Sequence, residues 1–216
     1  MACCQCTGIE TLFDEAYVAK ELKQYQKKGP DKTTRMLLEA VEEYDVAGMS
    51  VLDIGGGLGV IQHELLNAGA SAAVSVEASS AYLEAARKEA RRLGLSGQIR
   101  FLHGDFVALA EKLEPTEIVT LDRVICCYPD MATQVRLSAE RAHKLYGLVY
   151  PRDLWWIRLV FAVKNLVFKI VRNPFRIFVH RTREVDAAVR LTGLVPVSHQ
   201  KTAIWQVVLY HRAEKS

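Results

Sequence analysis

A glycine-rich turn between a short apolar strand and a helix constrains the fold most. Residues 50–54 have the pattern of a strand, and glycines follow Asp53 at alternate positions, Gly55, Gly57 and Gly59. Glycine tolerates a positive φ and lets a ligand approach the backbone closely. In an open α/β sheet, ligands bind beyond the carboxyl ends of the strands, where such a turn leads into a crossover. The segment therefore predicts a ligand site at the end of a parallel strand.

Apolar segments and helical segments alternate along the chain around this turn. Further strands are predicted at 72–76, 99–102, 118–121 and 148–150, and helices at 9–28, 60–68, 80–93, 132–146 and 183–191. Alternation of this kind predicts a parallel sheet with right-handed crossovers. Two final strands, 195–200 and 203–211, are close enough in sequence to form an antiparallel hairpin.

Composition is consistent with one packed domain. The chain has 216 residues, half of them apolar, with 28 Lys and Arg against 25 Asp and Glu. A net charge of +3 gives no argument for nucleic acid as a partner. No secretory signal and no apolar stretch of ~18 residues is evident, so a cytoplasmic protein is expected. Clustered cysteines, odd in number, indicate reduced thiols: Cys3, Cys4, Cys6, Cys126 and Cys127.

The spacing of the glycines separates this turn from the common nucleotide-binding loops. In the fingerprint G-x-G-x-x-G the third glycine would fall at Val60 or Gln62, and the Gly-Lys-Ser/Thr ending of a P-loop is missing. The carboxylate of Asp53 would repel a pyrophosphate but suits a ligand that carries an ammonium group. Glu77 ends the second predicted strand, where an acid can accept hydrogen bonds from ribose hydroxyls.

Acids also follow the third and fourth strands. Asp105 can accept a hydrogen bond from an exocyclic amine, and Phe106 can cover a purine. Asp122 ends the fourth strand. Ammonium, ribose diol and adenine are the parts of S-adenosylmethionine, which makes it the ligand that these residues fit together.

This set of residues resembles the class I S-adenosylmethionine-dependent methyltransferases. The resemblance covers residues 46–150, with the first motif at 53–59, the second-strand acid at Glu77, the adenine contact at Asp105 and the fourth motif at Asp122. It implies an α/β, Rossmann-like sheet of seven mostly parallel strands with an antiparallel last strand, helices on both faces and a helical lid. It also implies S-adenosyl-L-methionine as the cofactor, bound by Asp53, Gly55, Gly56, Gly57, Gly59, Glu77, Ala78, Asp105, Phe106 and Asp122.

We expect residues 1–216 to form a single methyltransferase domain in four segments. These are an N-terminal helical lid, a cofactor-binding core, an aromatic and basic insert, and a C-terminal helix with a β-hairpin, at 1–45, 46–150, 151–183 and 184–216. The expected acceptor is a small molecule. No recognised nucleic-acid-binding motif accompanies the basic residues, and the oligomeric state is not predicted.

The insert has the character of an amphipathic helix. An apolar stripe is predicted at Trp156, Leu159, Val163, Val167 and Ile170, and a polar face at Arg158, Asn165, Lys169, Arg172 and Arg176. Such a helix could cap an apolar acceptor with a cation on its carboxylate, contact an anionic membrane surface through residues 152–183, or pack on the sheet as a plain lid.

A closer resemblance concerns the acceptor. Residues 178–189 are similar to the helix start of magnesium-protoporphyrin O-methyltransferases, and Tyr128-Pro129 also fits. This resemblance implies a flat, apolar, acid-bearing acceptor. Two alternatives stay open: a cysteine-dependent protein that binds or methylates a soft metal or metalloid, and a non-catalytic S-adenosylmethionine-binding protein.

Three residues are candidates for catalysis, namely Asp122, Tyr128 and His103, and His180 is a further candidate for orienting the acceptor. Methyl transfer needs an in-line nucleophile and, for some acceptors, removal of a proton. The two cysteine groups could meet and bind a soft ion, but no metal ligand is assigned.

Overall fold

The computed structural model describes residues 4–213, with the side chains of residues 4–6 left out. Three helices come first: α1 (Cys4–Leu12), α2 (Glu15–Lys28) and α3 (Lys32–Glu42). The central part consists of β1 (Ser50–Ile54), α4 (Val60–Asn67), β2 (Ala72–Glu77), α5 (Ser80–Leu93), β3 (Ile99–His103), α6 (Phe106–Leu109), β4 (Thr116–Asp122), α7 (Met131–Glu140) and β5 (Ala142–Pro151). The chain then forms α8 (Trp155–Ile170), α9 (Thr182–Arg190), β6 (Leu194–Lys201) and β7 (Trp205–Arg212).

The seven strands form one sheet in the order β3-β2-β1-β4-β5-β7-β6. Parallel pairing joins β1 to β2 and to β4, while β7 is antiparallel to both β5 and β6. The predicted mostly parallel sheet with an antiparallel last strand is therefore confirmed. The strand order reverses between β1 and β4, and ligands of open α/β sheets bind at such a switch point.

Apolar side chains cover both faces of the sheet because neighbouring strand residues point to opposite sides. One apolar cluster contains Leu52, Val119 and Tyr146, and the other contains their neighbours Val51, Ile118 and Leu145. α3 and α4 cover the second cluster, and α7 and α9 cover the first. Because β1–β4 are parallel, their carboxyl ends lie at one edge of the sheet, between the two layers of helices.

Two predicted helices have different bounds in the structure. The segment 9–28 is divided because Asp14 caps α2, accepting a hydrogen bond from the Tyr17 amide at 2.8 Å. The predicted helix 132–146 ends at Glu140, and the chain from Ala142 onwards is strand instead. This segment is a strand because β5 pairs with β4 on one side and with β7 on the other. In a short apolar run, local periodicity cannot distinguish a strand from a buried helix.

Of the placements left open for the insert, the structure excludes packing of the apolar stripe on the sheet. α8 contacts the rest of the protein through Ile157 and Phe161, which are buried, and Asn165 makes two hydrogen bonds of 2.8 Å to the backbone of Ile177. Four members of the predicted apolar stripe are exposed, namely Leu159, Val163, Val167 and Ile170. Asn165, a member of the predicted polar face, therefore points towards the protein, and the backbone of Ile177 satisfies its amide group.

Candidate active site

The glycine turn after β1 has the backbone conformation that its sequence predicts. Gly55, Gly57 and Gly59 have φ angles of 63°, 54° and 80°. A Cβ at Gly55 would lie 2.5 Å from Cγ2 of Val124, whereas a Cβ at Gly57 would meet nothing closer than Tyr82 at 3.8 Å. The turn is thus packed against Val124 at Gly55 and unobstructed at Gly57, where it borders a cavity.

Asp53 lies beneath the turn with one carboxylate oxygen unused. Its Oδ1 accepts a hydrogen bond from Thr120 Oγ1 at 2.8 Å, and among the described residues none donates to its Oδ2. Burial, reinforced by the charges of Asp122 and Glu77, raises the pKa of Asp53 to about 7. A buried acceptor without a donor is costly unless a ligand supplies one, so this position fits a cationic ligand group.

Glu77 ties the end of β2 to the glycine turn. Its Oε2 accepts a hydrogen bond from the Gly57 amide at 2.9 Å, and its Oε1 accepts one from the Ser79 amide at 2.8 Å. Burial raises its pKa, and these backbone N–H groups oppose that shift. Each oxygen keeps a further lone pair, so Glu77, beside Ala78 on the cavity wall, can still accept from hydroxyls.

Asp105 and Phe106 lie on the same cavity wall after β3. Asp105 Oδ1 accepts a hydrogen bond from the Val107 amide at 3.0 Å, which makes Asp105 the N-cap of α6. Its Oδ2 accepts one from the Tyr128 hydroxyl at 3.3 Å. Phe106 is buried in the first apolar cluster. Asp105 therefore links the purine side of the expected site to Tyr128.

Asp122 ends β4 inside a cluster of charged and polar groups that the sequence did not predict. Its Oδ2 accepts a hydrogen bond from Thr34 Oγ1 at 2.5 Å, and its Oδ1 accepts one from Arg123 Nε at 3.0 Å. Arg123 Nη1 also pairs with Asp31 Oδ2 at 2.6 Å. Burial raises the pKa of Asp122, and the Arg123 guanidinium counteracts this rise. The only signal in the sequence was the adjacency of Arg123 to a strand-end acid.

One cavity of about 790 Å³ joins these groups, within the range of ~300–1,000 Å³ typical of ligand sites. The residues on its wall from β1–β4 and their loops include Asp53, Glu77, Asp105 and Asp122. α1, α2 and the connection between them close one side with aromatic residues that sequence analysis missed. Phe13, in that connection, has its ring 5.4 Å from that of Tyr82. α8 and the segment after it form the other side with Val163, Lys164, Val167, Phe168 and Phe175.

The structure does not bring either histidine to the cavity wall. His103 Nε2 lies 3.2 Å from Glu10 Oε1 and 3.1 Å from the Ala78 carbonyl oxygen, and the side chain is half exposed. His180 Nε2 lies 2.9 Å from the Ile125 carbonyl oxygen, and burial lowers its pKa. His103 was a predicted catalytic residue; from this position it can only orient the loop beyond β2, so we omit it from the proposed catalytic set.

Cys126 and Cys127 both border the cavity after β4, and their Sγ atoms are 3.9 Å apart. Hydrogen bonding to Cys127 together with burial holds the pKa of Cys126 well above its usual value. Cys3 lies outside the described residues, as do the side chains of Cys4 and Cys6, so their predicted approach stays a prediction. Within residues 7–213, no group of three or more His, Cys, Asp or Glu side chains is arranged to hold a metal ion.

Comparisons with known proteins agree with this geometry. A family model described as a methyltransferase domain matches residues 45–175. A ribosomal protein L11 methyltransferase from Deinococcus radiodurans is 40% identical over 76 residues, which are 35% of this chain and 28% of that protein. One from Symbiobacterium thermophilum is 26% identical over 108 residues, or 50% of this chain and 36% of that protein. The chain thus matches only about a third of the length of these relatives.

Solved structures share the whole fold at low identity. A magnesium protoporphyrin IX methyltransferase from Synechocystis PCC 6803, crystallised with bound S-adenosylhomocysteine, has a TM-score of 0.71 at 16% identity and covers 94% of this chain and 99% of that one. An O-methyltransferase family protein from Burkholderia thailandensis has a TM-score of 0.70 at 15% identity, covering 94% of this chain and 60% of that one. The predicted class I methyltransferase fold is therefore confirmed.

The matched range includes β1–β5, the glycine turn and the four strand-end acids. More than half of the chain lies in it, and the predicted resemblance is confirmed at the level of the family. The chain therefore belongs to the methyltransferase domain family, and its fold is that of S-adenosylmethionine-dependent enzymes.

Proposed function

We propose that the protein is an S-adenosylmethionine-dependent methyltransferase that acts on a small, apolar, acid-bearing molecule. One observation carries the proposal: the acids at the ends of β1–β4 border a single cavity together with the glycine turn. Residues 1–216 act in this proposal as one domain, with 46–150 as the cofactor-binding core. The name of the Synechocystis neighbour supports a porphyrin-like acceptor. That neighbour aligns over nearly its whole length, so it is a better guide to the acceptor than the ribosomal protein L11 methyltransferases, which match only in part.

Each cofactor-binding residue has a role that its surroundings support. The unpartnered Oδ2 of Asp53 and the open backbone at Gly57 fit the ammonium end of the cofactor. Glu77, oriented by two backbone N–H groups, suits the ribose diol. Asp105 and Phe106 suit the adenine, and Asp122 the region of the methyl group.

The acceptor would lie between the β4 end and α8. Phe168 and Val167 offer an apolar wall, while Lys164 is a cation on the same cavity that can pair with a carboxylate. This combination favours an acid-bearing aromatic molecule over a polar one. A large protein loop is a weaker fit, because α1, α2 and α8 enclose the cavity on two sides.

Little covalent help is needed for the transfer itself. A cofactor held by Asp53, Glu77 and Asp105 would supply an electrophilic methyl carbon, with its sulfur as the leaving group that keeps the electron pair of the carbon–sulfur bond. The chain's part is to hold the acceptor in line and exclude water. Tyr128 borders the cavity through a hydroxyl held by Asp105, and it is the proposed orienting group or proton acceptor.

The test is product formation from radiolabelled S-adenosylmethionine with a panel of porphyrin carboxylates and other aromatic acids. Labelled product with the wild type and its loss in Glu77→Ala would support the proposal. Binding of the cofactor without S-adenosylhomocysteine from any panel member or metabolite extract would favour the non-catalytic alternative.

A second candidate function follows from the adjacent thiols on the cavity wall. Cys126 and Cys127 present two sulfur atoms 3.9 Å apart to the acceptor side, and paired thiols favour soft ions and metalloids. The discriminating measurement is titration of phenylarsine oxide into the wild type and into Cys126→Ser/Cys127→Ser. Equal binding of phenylarsine oxide by the wild type and the double variant would eliminate this candidate. Loss of both arsenical binding and arsenical methylation in the double variant would favour it.

A further inference from the structure

The side of α8 that faces away from the sheet is apolar over four turns. Trp155 is 77% exposed, Leu159 58% and Ile170 71%, and the adjoining apolar residues Val160, Val163, Leu166, Val167 and Val171 are also exposed. Successive helix residues are about 100° apart, so these positions occupy about half of the circumference. Isolated exposed apolar residues are ordinary, whereas a continuous patch of this kind marks an interaction surface.

Cations flank this apolar face on both sides. Lys164 lies along one edge, over the Phe161 ring at 5.6 Å, and Lys169 lies along the other edge. Arg172 follows at the end of the helix. The sequence from 154 to 183 contains seven Lys or Arg and no Asp or Glu. Basic residues that flank an apolar face are the arrangement of a helix that lies in the interface of an anionic membrane.

The charge pattern also decides between a membrane and a second copy of the chain. Two copies packed through α8 would bring Lys164, Lys169 and Arg172 of each copy together with no acid in the segment to compensate. Anionic headgroups would compensate these charges. Trp155, at the start of the helix, belongs to the side chains enriched at the headgroup level.

We propose that α8 docks the protein onto an anionic lipid surface through the face formed by Trp155, Leu159, Leu166 and Ile170. Within the described residues no helix combines the length and apolar character needed to cross a bilayer, so the helix lies in the plane of the interface. Val163 and Val167 lie on both the exposed face and the cavity wall. The cavity therefore opens beside the lipid, and its acceptor, which rests on the proposed function, belongs to the apolar molecules that partition into membranes.

The test is sedimentation of the full chain with vesicles of equal parts phosphatidylcholine and phosphatidylglycerol, compared with phosphatidylcholine alone. Leu159→Gln/Ile170→Gln removes apolar groups that do not border the cavity. Its control, Leu191→Gln/Val197→Gln, also replaces two exposed aliphatic residues by glutamine, at positions outside α8. We expect the first variant to bind vesicles at least about tenfold more weakly and the control to match the wild type.

A charge variant tests the second half of the pattern. Lys169→Gln/Arg172→Gln is expected to weaken binding about tenfold or more on the anionic vesicles and to have little effect on the neutral ones. Quenching of wild-type tryptophan fluorescence by brominated lipids gives an independent measurement, expected because Trp155 enters the interface. The quenching measurement uses only the wild-type protein, so it still tests the proposal if a protein with a substituted α8 fails to fold.

Three results would overturn the proposal. The first is wild-type protein that neither sediments with vesicles nor shows quenched tryptophan fluorescence. The second is equal vesicle binding by Leu159→Gln/Ile170→Gln and Leu191→Gln/Val197→Gln. The third is a wild-type dimer that does not bind vesicles and that light scattering shows to become a monomer in Leu159→Gln/Ile170→Gln. None of these measurements involves methyl transfer, so failure of docking is distinguishable from failure of the proposed activity.

Discussion

Replacing Asp53 by asparagine is expected to stabilise the ligand-free protein at alkaline pH and to weaken cofactor binding. Burial, with the nearby charges of Asp122 and Glu77, raises the pKa of Asp53 to about 7 from an ordinary value of 3.8. The folded protein therefore binds this proton more tightly than the unfolded chain. Stability from this group is fully present below pH ~4 and is lost as the pH rises through about 7.

The size of the effect follows from the two pKa values. Each pH unit between them changes the free energy of unfolding by about 1.4 kcal/mol, so the wild type should lose about 3 kcal/mol between pH 5 and pH 8 through Asp53. Asparagine cannot ionise, yet its Oδ1 can still accept the hydrogen bond from Thr120. The free energy of unfolding of Asp53→Asn should therefore not fall between pH 5 and pH 8 through this position, and the sheet should be undisturbed.

The assay is urea unfolding of both proteins at pH 5 and pH 8, followed by calorimetric titration with S-adenosylmethionine at pH 8. We expect the variant to gain stability relative to the wild type on going to pH 8, and to bind the cofactor at least about tenfold more weakly, as when a charged hydrogen-bond partner is lost. An equal stability difference at both pH values would refute the raised pKa. Unchanged affinity would refute the ammonium contact.

Three further predictions concern single positions. Glu77→Ala should weaken S-adenosylhomocysteine binding by about 1–3 kcal/mol, and unaltered calorimetric affinity would contradict its role. Gly55→Ala should lower the free energy of unfolding by about 2–4 kcal/mol, because φ is 63° there and the new Cβ would lie 2.5 Å from Val124. The control Gly97→Ala, whose Cβ would meet open space, should change it by less than about 0.5 kcal/mol. Tyr128→Phe should reduce kcat about 100-fold or more and leave the cofactor Kd within about threefold; equal loss in both would assign Tyr128 to binding instead.

The parts of the site that the sequence predicts are those in which local pattern and topology coincide. The glycine spacing after Asp53 sets the turn, and parallel strands bring Glu77, Asp105 and Asp122 to one edge of the sheet. No long-range information beyond strand order was needed for these acids. The same reasoning could not find the aromatic side of the cavity, since Phe13 lies in the connection between α1 and α2, and only tertiary packing decides how these helices dock.

Charge partners were missed for a related reason. Arg123 pairs with Asp31, and Thr34 donates to Asp122, yet these residues are about 90 positions apart and no local periodicity links them. The face of α8 that meets the sheet was left open because apolar residues surround most of that helix. Burial of Ile157 and Phe161, rather than Leu159, depends on which side meets the sheet, and an apolar side left exposed has no signature in a periodicity analysis.

Hydrogen–deuterium exchange of the wild-type protein tests most directly the claim that the strand-end acids and the glycine turn bind S-adenosylmethionine. The amides of residues 55–59 and 77–79, together with those of 104–107, should be protected by S-adenosylmethionine and not by NAD or ATP at equal concentration. Protection of the same amides by a phosphorylated nucleotide, with no effect of S-adenosylmethionine, would contradict it.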